Sequence, residues 1–202
     1  MIRDIIEFAN DQNLEAYLVS IDQEKAFDRV NHKFLLKTLE QFGFTGTFTR
    51  WIEILYKDLT CQVKTKGFLT ALIDIKRGVR QGCPLSALLY VIVAEVIANA
   101  IRQDDSIRGV NLLGITKKLS AYADDTNLFL KDLASIENAF KLLRKYEAAS
   151  GTKVNLKKSK IFPLKGACRR LTYTPIPTSL KSFTWLITDE QAETDVSIVF
   201  WA

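Results

Sequence analysis

The chain has 202 residues, a formal net charge of +5 and a pI near 9.0, and 48% of its residues are hydrophobic. This length and apolar content predict a single soluble, intracellular domain of mixed α/β character, with nucleus and cytoplasm not distinguished. A single histidine, His32, excludes histidine-based triads and multi-histidine metal sites. Three scattered cysteines without CxxC spacing argue against disulfides and zinc, and for a reducing compartment.

Neither a membrane span nor a signal peptide is expected. The run nearest to a span, 91–101, is interrupted by Glu95 and Asn99. Acids and amides follow Met1 at once, which does not fit the start of a signal peptide. No partnership with a membrane is therefore predicted.

The apolar pattern along the chain predicts helices alternating with short strands. Helices are predicted at 2–12, 34–42, 48–59, 85–101 and 136–149, and extended segments at 16–21, 61–66, 72–76, 119–123, 128–130 and 154–162. Gly43 and Gly151 end two of the helices, and Pro84 fits the first turn of the longest one. This order predicts an α+β fold in which helices lie on one face of a small antiparallel sheet.

Two adjacent acids, Asp124 and Asp125, lie between two apolar runs. The order predicts a strand, a tight turn and a second strand, with both carboxylates at the tip. Adjacent carboxylates repel each other unless a cation lies between them, and hard carboxylate oxygens suit Mg²⁺. A second acid pair, Asp104 and Asp105, has no apolar flanks, and a solvated turn is the better interpretation there.

Asp22 is the candidate third carboxylate. It ends the apolar, β-prone run 16–21, so a sheet could hold it rigidly at a strand end. The alternative is that Asp22 only caps the helix that begins after it. Both interpretations stay open at this point.

The segment 80–84 reads Arg-Gln-Gly-Cys-Pro and joins a strand-like stretch to the long apolar helix. Gln81 beside Gly82 can present an amide and a closely approaching backbone to a planar ligand. Taken alone, the segment is equally well explained as an ordinary strand-to-helix turn.

Together, these segments resemble the reverse transcriptases of LINE-like non-LTR retrotransposons and, more distantly, those of group II introns. The resemblance covers about residues 5–162. Four stretches carry it in the family's order: Ser20-Ile21-Asp22 with 25–32, Arg80-Gln81-Gly82-Cys83-Pro84-Leu85-Ser86, Ala121-Tyr122-Ala123-Asp124-Asp125, and 150–155 with Lys158-Ser159. Any one of these motifs is weak, whereas four in order are specific.

The resemblance implies a polymerase palm and a two-metal mechanism, with Mg²⁺ as the ion and Mn²⁺ as an alternative. Asp22 and Asp124 match metal-ligand positions, and Asp125 matches the third acid. Phe27 matches the ring that blocks a ribose 2′-hydroxyl, and a core aromatic is a compatible interpretation. The implied substrates are an RNA template, a DNA primer and deoxynucleoside triphosphates.

Further positions match residues around the nucleotide. Gln81 and Gly82 match positions that contact the incoming nucleotide and the template. Lys158 matches a lysine that donates a proton to pyrophosphate, with a solvated charge as the alternative. Asp28 and His32 also match, and we interpret them as local scaffold.

The ends of the chain depart from the family pattern. We expect a truncated copy, with the fingers partial and the thumb absent, whose missing segments belong to a longer polyprotein. The predicted division is a palm-like domain at 1–162 and a linker with a divergent tail at 163–202, for which poor order is one expectation. A basic patch between Lys141 and Arg170 fits contact with phosphates.

Two hypotheses follow from the sequence. The first is an RNA-directed DNA polymerase domain. The second is a catalytically inactive remnant, or a nucleic-acid-binding fragment, that has kept the palm. A nucleotide cyclase is a distant third, and the Arg-Gln-Gly-Cys-Pro segment argues against it.

Overall fold

A computed structural model describes residues 2–164 and 167, together with the backbone of two strands at 184–186 and 197–198. The helices are α1 (Ile2–Asp11), α2 (Ala26–Arg29), α3 (His32–Gln41), α4 (Gly46–Tyr56), α5 (Pro84–Gln103) and α6 (Leu133–Ser150). The strands are β1 (Tyr17–Ile21), β2 (Thr60–Cys61), β3 (Lys64–Thr65), β4 (Phe68–Leu69), β5 (Ile73–Asp74), β6 (Val110–Leu112), β7 (Ile115–Lys117), β8 (Leu119–Tyr122), β9 (Asp125–Leu130), β10 (Lys160–Pro163), β11 (Thr184–Leu186) and β12 (Ser197–Ile198). Most of the predicted linker and tail, 163–202, lies outside the described residues, so that division stays a prediction.

The main sheet has six strands in the order β12-β11-β10-β1-β9-β8. Strand β1 lies between β10 and β9 and pairs antiparallel with both, so that Val19 is opposite Ile161 on one side and Leu128 on the other. This arrangement confirms the predicted antiparallel sheet over β10, β1, β9 and β8. Strand β11 joins β10 in parallel, which the sequence pattern did not predict.

Alternate residues of β1 face two different hydrophobic clusters, because successive side chains of a strand point to opposite faces. Val19 and Ile21 belong to a large cluster built with residues of α3, α4, α5 and α6. Leu18 belongs to a smaller cluster that also contains Ile5 of α1 and Phe129 of β9. The prediction placed helices on one face only. Helix α1 covers the other face as well, because Leu18 and Phe129 would otherwise lie in water.

Outside the main sheet, the described part of the chain also forms three short two-stranded ladders. Strand β2 pairs with β5 and β3 pairs with β4, which together form the hairpin that was predicted around Gly67. Strands β6 and β7 form another hairpin, which was not predicted. Phe68 in the first hairpin is 80% exposed, and Leu113 at the tip of the second is 88% exposed.

Helix α5 is long and apolar enough to cross a membrane by length and composition, with a mean hydropathy of 1.9. That property is weak evidence, since the core helix of a soluble protein shares it. One face of α5 lies in the large cluster through Leu89, Val93 and Ile97. The expectation that the chain has no membrane span stays a prediction.

Candidate active site

Asp22 is held by its backbone at the end of β1. Its amide donates to Ser159 Oγ over 3.1 Å, and its carbonyl accepts from the Asn155 amide over 2.8 Å. Ser159 is fully buried, and its hydroxyl donates in turn to the Asn155 carbonyl over 2.9 Å. The turn at 155–159 therefore fixes the main chain that carries the Asp22 carboxylate.

The capping interpretation of Asp22 is wrong. The N-cap position of α2 is Lys25, which has a left-handed conformation and makes no side-chain cap hydrogen bond. Asp22 lies three residues earlier, between the strand end and a short β-bridge that joins Gln23 to Val154. The Asp22 carboxylate is thus not used to cap α2.

The pair Asp124 and Asp125 lies where the sequence predicted it, at the turn between β8 and β9. Tyr122 is paired with Asp125 across the turn, and Ala123 has a left-handed φ of 53°. Asp124 is half-buried and Asp125 is exposed. The tight turn confirms the predicted strand, turn and strand.

The register of the sheet brings the two acidic segments to the same edge. The last paired position of β1 and β9 is Ile21 opposite Thr126. Continued by one residue, this register sets Asp22 beside Asp125, and side chains directly opposite in an antiparallel pair lie on one face. Residues that are far apart in the sequence therefore meet at one end of the sheet.

The chemistry of these side chains suits Mg²⁺ or Mn²⁺, because both ions prefer hard carboxylate oxygens. Within the described residues, however, no group of three or more His, Cys, Asp or Glu side chains is arranged to hold a metal ion. The assignment of Asp22, Asp124 and Asp125 as metal ligands thus stays a prediction supported by register and donor type.

Phe27 belongs to a stacked aromatic pair. Its ring stacks on the ring of Tyr90 in α5, with centroids 4.7 Å apart and planes 26° from parallel. Burial raises the pKa of the Tyr90 phenol above its ordinary value, and the nearby Tyr146 and Asp124 raise it further.

Sequence reasoning missed Tyr90, because at the first turns of an apolar helix a tyrosine looks like any core aromatic. The distinguishing signal is structural. Tyr90 is almost fully buried, and its hydroxyl has no hydrogen-bond partner among the described residues. Tyr146, by contrast, donates to the Val93 carbonyl over 3.1 Å.

A tight backbone joint connects the Phe27 segment to the Arg80-Gln81 turn. The Val79 amide donates to the Phe27 carbonyl over 2.7 Å, and the Gly78 amide donates to the Val30 carbonyl over 2.8 Å. A Cβ on Gly78 would lie 2.9 Å from the Asp28 carbonyl oxygen, and Gly78 has a φ of 93°. Only glycine combines that backbone angle with such a close approach.

His32 supports the same joint, as predicted for a scaffold residue. Its Nε2 lies 2.8 Å from the Gly78 carbonyl oxygen, and its ring packs against Tyr56 with centroids 4.8 Å apart. The joint thus fixes the distance between Phe27 and the turn that follows Val79.

Gln81 is held by Asp28. The Gln81 side-chain amide donates to Asp28 Oδ1 over 3.0 Å, which leaves its carbonyl oxygen as the group that can accept from a ligand. Gly82 has a φ of 84° with no atom within 4 Å of an added Cβ, so the backbone there is open to an approaching molecule. Pro84 then begins α5, as predicted.

Lys158 lies in the turn at 155–159 that binds the Asp22 backbone. Its side chain is exposed, and no hydrogen bond or ion pair to the ammonium is seen in the described part of the chain. The hydrogen bonds to the Asp22 backbone bring the turn that carries Lys158 close in space to Asp22, although the two residues are far apart in the sequence. Part of the basic patch, including Lys165, Arg169 and Arg170, lies outside the described residues.

Comparison with known proteins shows the family to which this chain is similar. A family model described as "Reverse transcriptase (RNA-dependent DNA polymerase)" matches residues 1–187. The "Transposon TX1 uncharacterized 149 kDa protein" of Xenopus laevis is 39% identical over 166 residues, which is 79% of this chain and 12% of that protein. A "Retrovirus-related Pol polyprotein from type-1 retrotransposable element R2" of Popillia japonica is 32% identical over 152 residues, which is 70% of this chain and 20% of that protein.

Solved structures agree on the fold. Telomerase of Candida tropicalis, determined with a TWJ fragment of telomeric RNA, matches with a TM-score of 0.58 and 17% identity, over 80% of this chain and 29% of that one. Telomerase of Candida albicans matches with a TM-score of 0.55 and 16% identity. The chain spans at most about a third of these proteins and a fifth or less of the retrotransposon proteins named above. The α+β palm inferred from the resemblance is confirmed, and since the family model covers nearly the whole chain, the protein belongs to the reverse transcriptase family.

Proposed function

We propose that this chain is the palm of an RNA-directed DNA polymerase that adds deoxynucleotides to a primer 3′-hydroxyl, as part of a retrotransposon polyprotein. One observation carries the proposal: the register of β1 and β9 brings Asp22 to the edge of the sheet that holds Asp124 and Asp125. Family enzymes use divalent metal ions, and carboxylates at such an edge are suitable ligands for them.

In this proposal, Asp22 and Asp124 hold two Mg²⁺ ions, with Asp125 as a weaker or outer ligand. When bound by these carboxylates, such ions would supply activation of the primer hydroxyl and stabilisation of the leaving pyrophosphate. The rigid attachment of Asp22 to the Ser159 turn keeps its carboxylate in place without reorganisation during the reaction.

The remaining residues act on the substrates. Phe27 lies against the sugar and excludes a ribose 2′-hydroxyl. Gln81, oriented by Asp28, and the open backbone at Gly82 contact the incoming nucleotide and the template. Lys158 donates a proton to pyrophosphate.

The proposed partners are an RNA template, a DNA primer and deoxynucleoside triphosphates. The telomerase structures that share this fold were solved with a fragment of telomeric RNA, which supports an RNA partner. The positive net charge agrees with it, since cationic side chains contact phosphates without regard to sequence. The proposal also includes an intracellular setting and fingers and thumb segments supplied by the rest of a polyprotein. It further includes a domain boundary near residue 162.

A second candidate is a non-catalytic fragment that binds nucleic acid. The observation in its favour is that Asp22, Asp124 and Asp125 do not form a ready cluster of three metal ligands within the described residues. Such a fragment would bind RNA through its cationic side chains whether or not Mg²⁺ is present.

Primer extension separates the two candidates. The full chain is incubated with a primed RNA template, deoxynucleotides and Mg²⁺ or Mn²⁺, beside an Asp124→Ala variant. Extension by the wild-type chain that is lost in the variant supports the polymerase. RNA binding that is independent of Mg²⁺, without extension under either metal, overturns the polymerase proposal for this chain and supports the second candidate.

A further inference from the structure

The stack of Phe27 on Tyr90 gives the sugar-facing side chain a support from inside the core. Phe27 is only half-buried, whereas Tyr90 is 1% exposed and belongs to the large hydrophobic cluster. A stacked aromatic pair at a centroid distance of 4.7 Å restricts the rotation of the outer ring. The orientation of Phe27 therefore depends on the ring below it.

The position of Tyr90 in the fold makes it a rigid support. It is carried by α5, whose neighbouring residues Leu89 and Val93 are fully buried, so the helix is anchored on the main sheet and on α6. The short helix α2 that carries Phe27 has only four residues and no side-chain cap, so it has little rigidity of its own. The fixed orientation of the Phe27 ring must therefore come from contacts outside α2.

On the basis of the proposed polymerase function, we infer that Tyr90 is a positioning residue for sugar selection, because its buried ring holds Phe27 in the orientation that excludes a ribose 2′-hydroxyl. The ring performs this role and the hydroxyl is dispensable, since the hydroxyl has no hydrogen-bond partner in the described residues. Removing an unpaired buried hydroxyl costs little and can stabilise a fold.

Three variants of the full chain test the inference. Tyr90→Leu removes the ring, and Tyr90→Phe keeps the ring and removes the hydroxyl. Tyr146→Leu is the matched control, because Tyr146 is a second buried tyrosine of the same cluster whose ring packs on Phe34 instead of Phe27. Circular dichroism and thermal unfolding establish that each variant folds.

The first measurement does not need activity. With fluorinated phenylalanine, the Phe27 resonance is assigned by its loss in Phe27→Leu. We expect Tyr90→Leu to move this resonance, because the stacked ring is gone, while the control Tyr146→Leu leaves it nearly in place. An unchanged Phe27 resonance in a folded Tyr90→Leu chain overturns the inference, whether or not the chain polymerises.

The second measurement is the ratio of deoxynucleotide to ribonucleotide incorporation in primer extension. We expect this ratio to fall roughly two- to tenfold in Tyr90→Leu, the factor that corresponds to one aromatic pair. Tyr90→Phe and Tyr146→Leu should keep the wild-type ratio.

The two failures are distinguishable. A wild-type chain that extends no primer overturns the proposed function and, with it, the role in sugar selection. Extension with an unchanged ratio in Tyr90→Leu leaves the polymerase intact and overturns the inference alone.

Discussion

The chain carries the dipeptide Asp-Asp twice, at the end of the main sheet and in the peripheral segment 104–114, in contrasting surroundings. Asp124 and Asp125 lie at the turn between two strands, and β9 continues into the fully buried Leu128. Asp104 ends α5, and its carboxylate accepts from both the amide and the hydroxyl of Ser106. One pair is held rigidly with its carboxylates available, whereas in the other pair the Asp104 carboxylate is already used locally.

The comparison shows that two identical dipeptides differ in the segments that hold them in place. At the end of the sheet, three segments that are distant in the sequence are tied together by backbone hydrogen bonds to Asp22 and Phe27. In the peripheral segment, the hydrogen bonds of the Asp104 carboxylate come from Ser106, two residues along the chain.

The largest difference between the two regions is expected in primer extension, when a carboxylate charge is removed. We expect Asp22→Asn to lower primer extension by roughly 100-fold or more, because a metal ligand supplies several kcal/mol of transition-state stabilisation. Asp105→Asn makes the same change in the peripheral segment and should leave the extension rate within about twofold. The rates are measured at saturating Mg²⁺, and equal losses in both variants would remove the distinction between the two acid pairs.

The second difference concerns glycines with positive φ. Gly114→Ala places a Cβ in open space, and we expect a cost of about 1–2 kcal/mol from the left-handed conformation alone. Gly78→Ala adds a clash with the Asp28 backbone and should cost roughly 1–3 kcal/mol more. Urea unfolding gives both values, and a Gly78→Ala chain as stable as Gly114→Ala would show that the joint is not tight.

A third difference concerns serine hydroxyls. Ser159→Ala removes a fully buried hydroxyl and leaves the half-buried Asp22 amide without its acceptor, so we expect a loss of about 1–3 kcal/mol in the free energy of unfolding. Ser106→Ala removes an exposed hydroxyl and should change stability by less than about 0.5 kcal/mol. Chemical unfolding of both variants checks this, and similar losses would contradict the view that only the site is rigidly held.

The smallest effect is a pH dependence at Asp104. Hydrogen bonds from the Ser106 side chain and backbone lower the pKa of the Asp104 carboxyl below its ordinary value. A folded-state pKa below the unfolded value stabilises the fold above the unfolded pKa, and that contribution is lost as the pH falls through the folded pKa. Because Asp104 is only half-buried, solvent screens these interactions and the effect on stability should be slight. Ser106→Ala should raise the Asp104 pKa, as measured by NMR titration, and an unchanged pKa would show that Ser106 is not its cause.

Much of the site was predictable because local sequence encodes local structure. Apolar runs on both sides of Asp124-Asp125 predicted the hairpin, and the run before Asp22 predicted the strand that it follows. Pro84 predicted the start of α5. These signals depend only on periodicity and on residues with restricted backbones.

Other features were not predictable, because they depend on contacts between distant segments. Nothing near Tyr90 indicates that it stacks on Phe27, and nothing near Gly78 indicates that the backbone of Asp28 lies against it. The sequence pattern also did not predict the parallel addition of β11 to β10 or the hairpin of β6 and β7, since β6, β7 and β11 are each only three residues long.

The sequence by itself determined the candidate acids, the order of the motifs and the reverse transcriptase resemblance, because these reside in residue identity and spacing. Only the tertiary structure decided that Asp22 is held by Ser159 instead of capping α2, and that Phe27 stands on Tyr90. The physical reason is that register and packing are properties of segments that meet in space. The pattern of a strand indicates which of its residues face the core. Which residues of other segments they contact there depends on the register with the neighbouring strands.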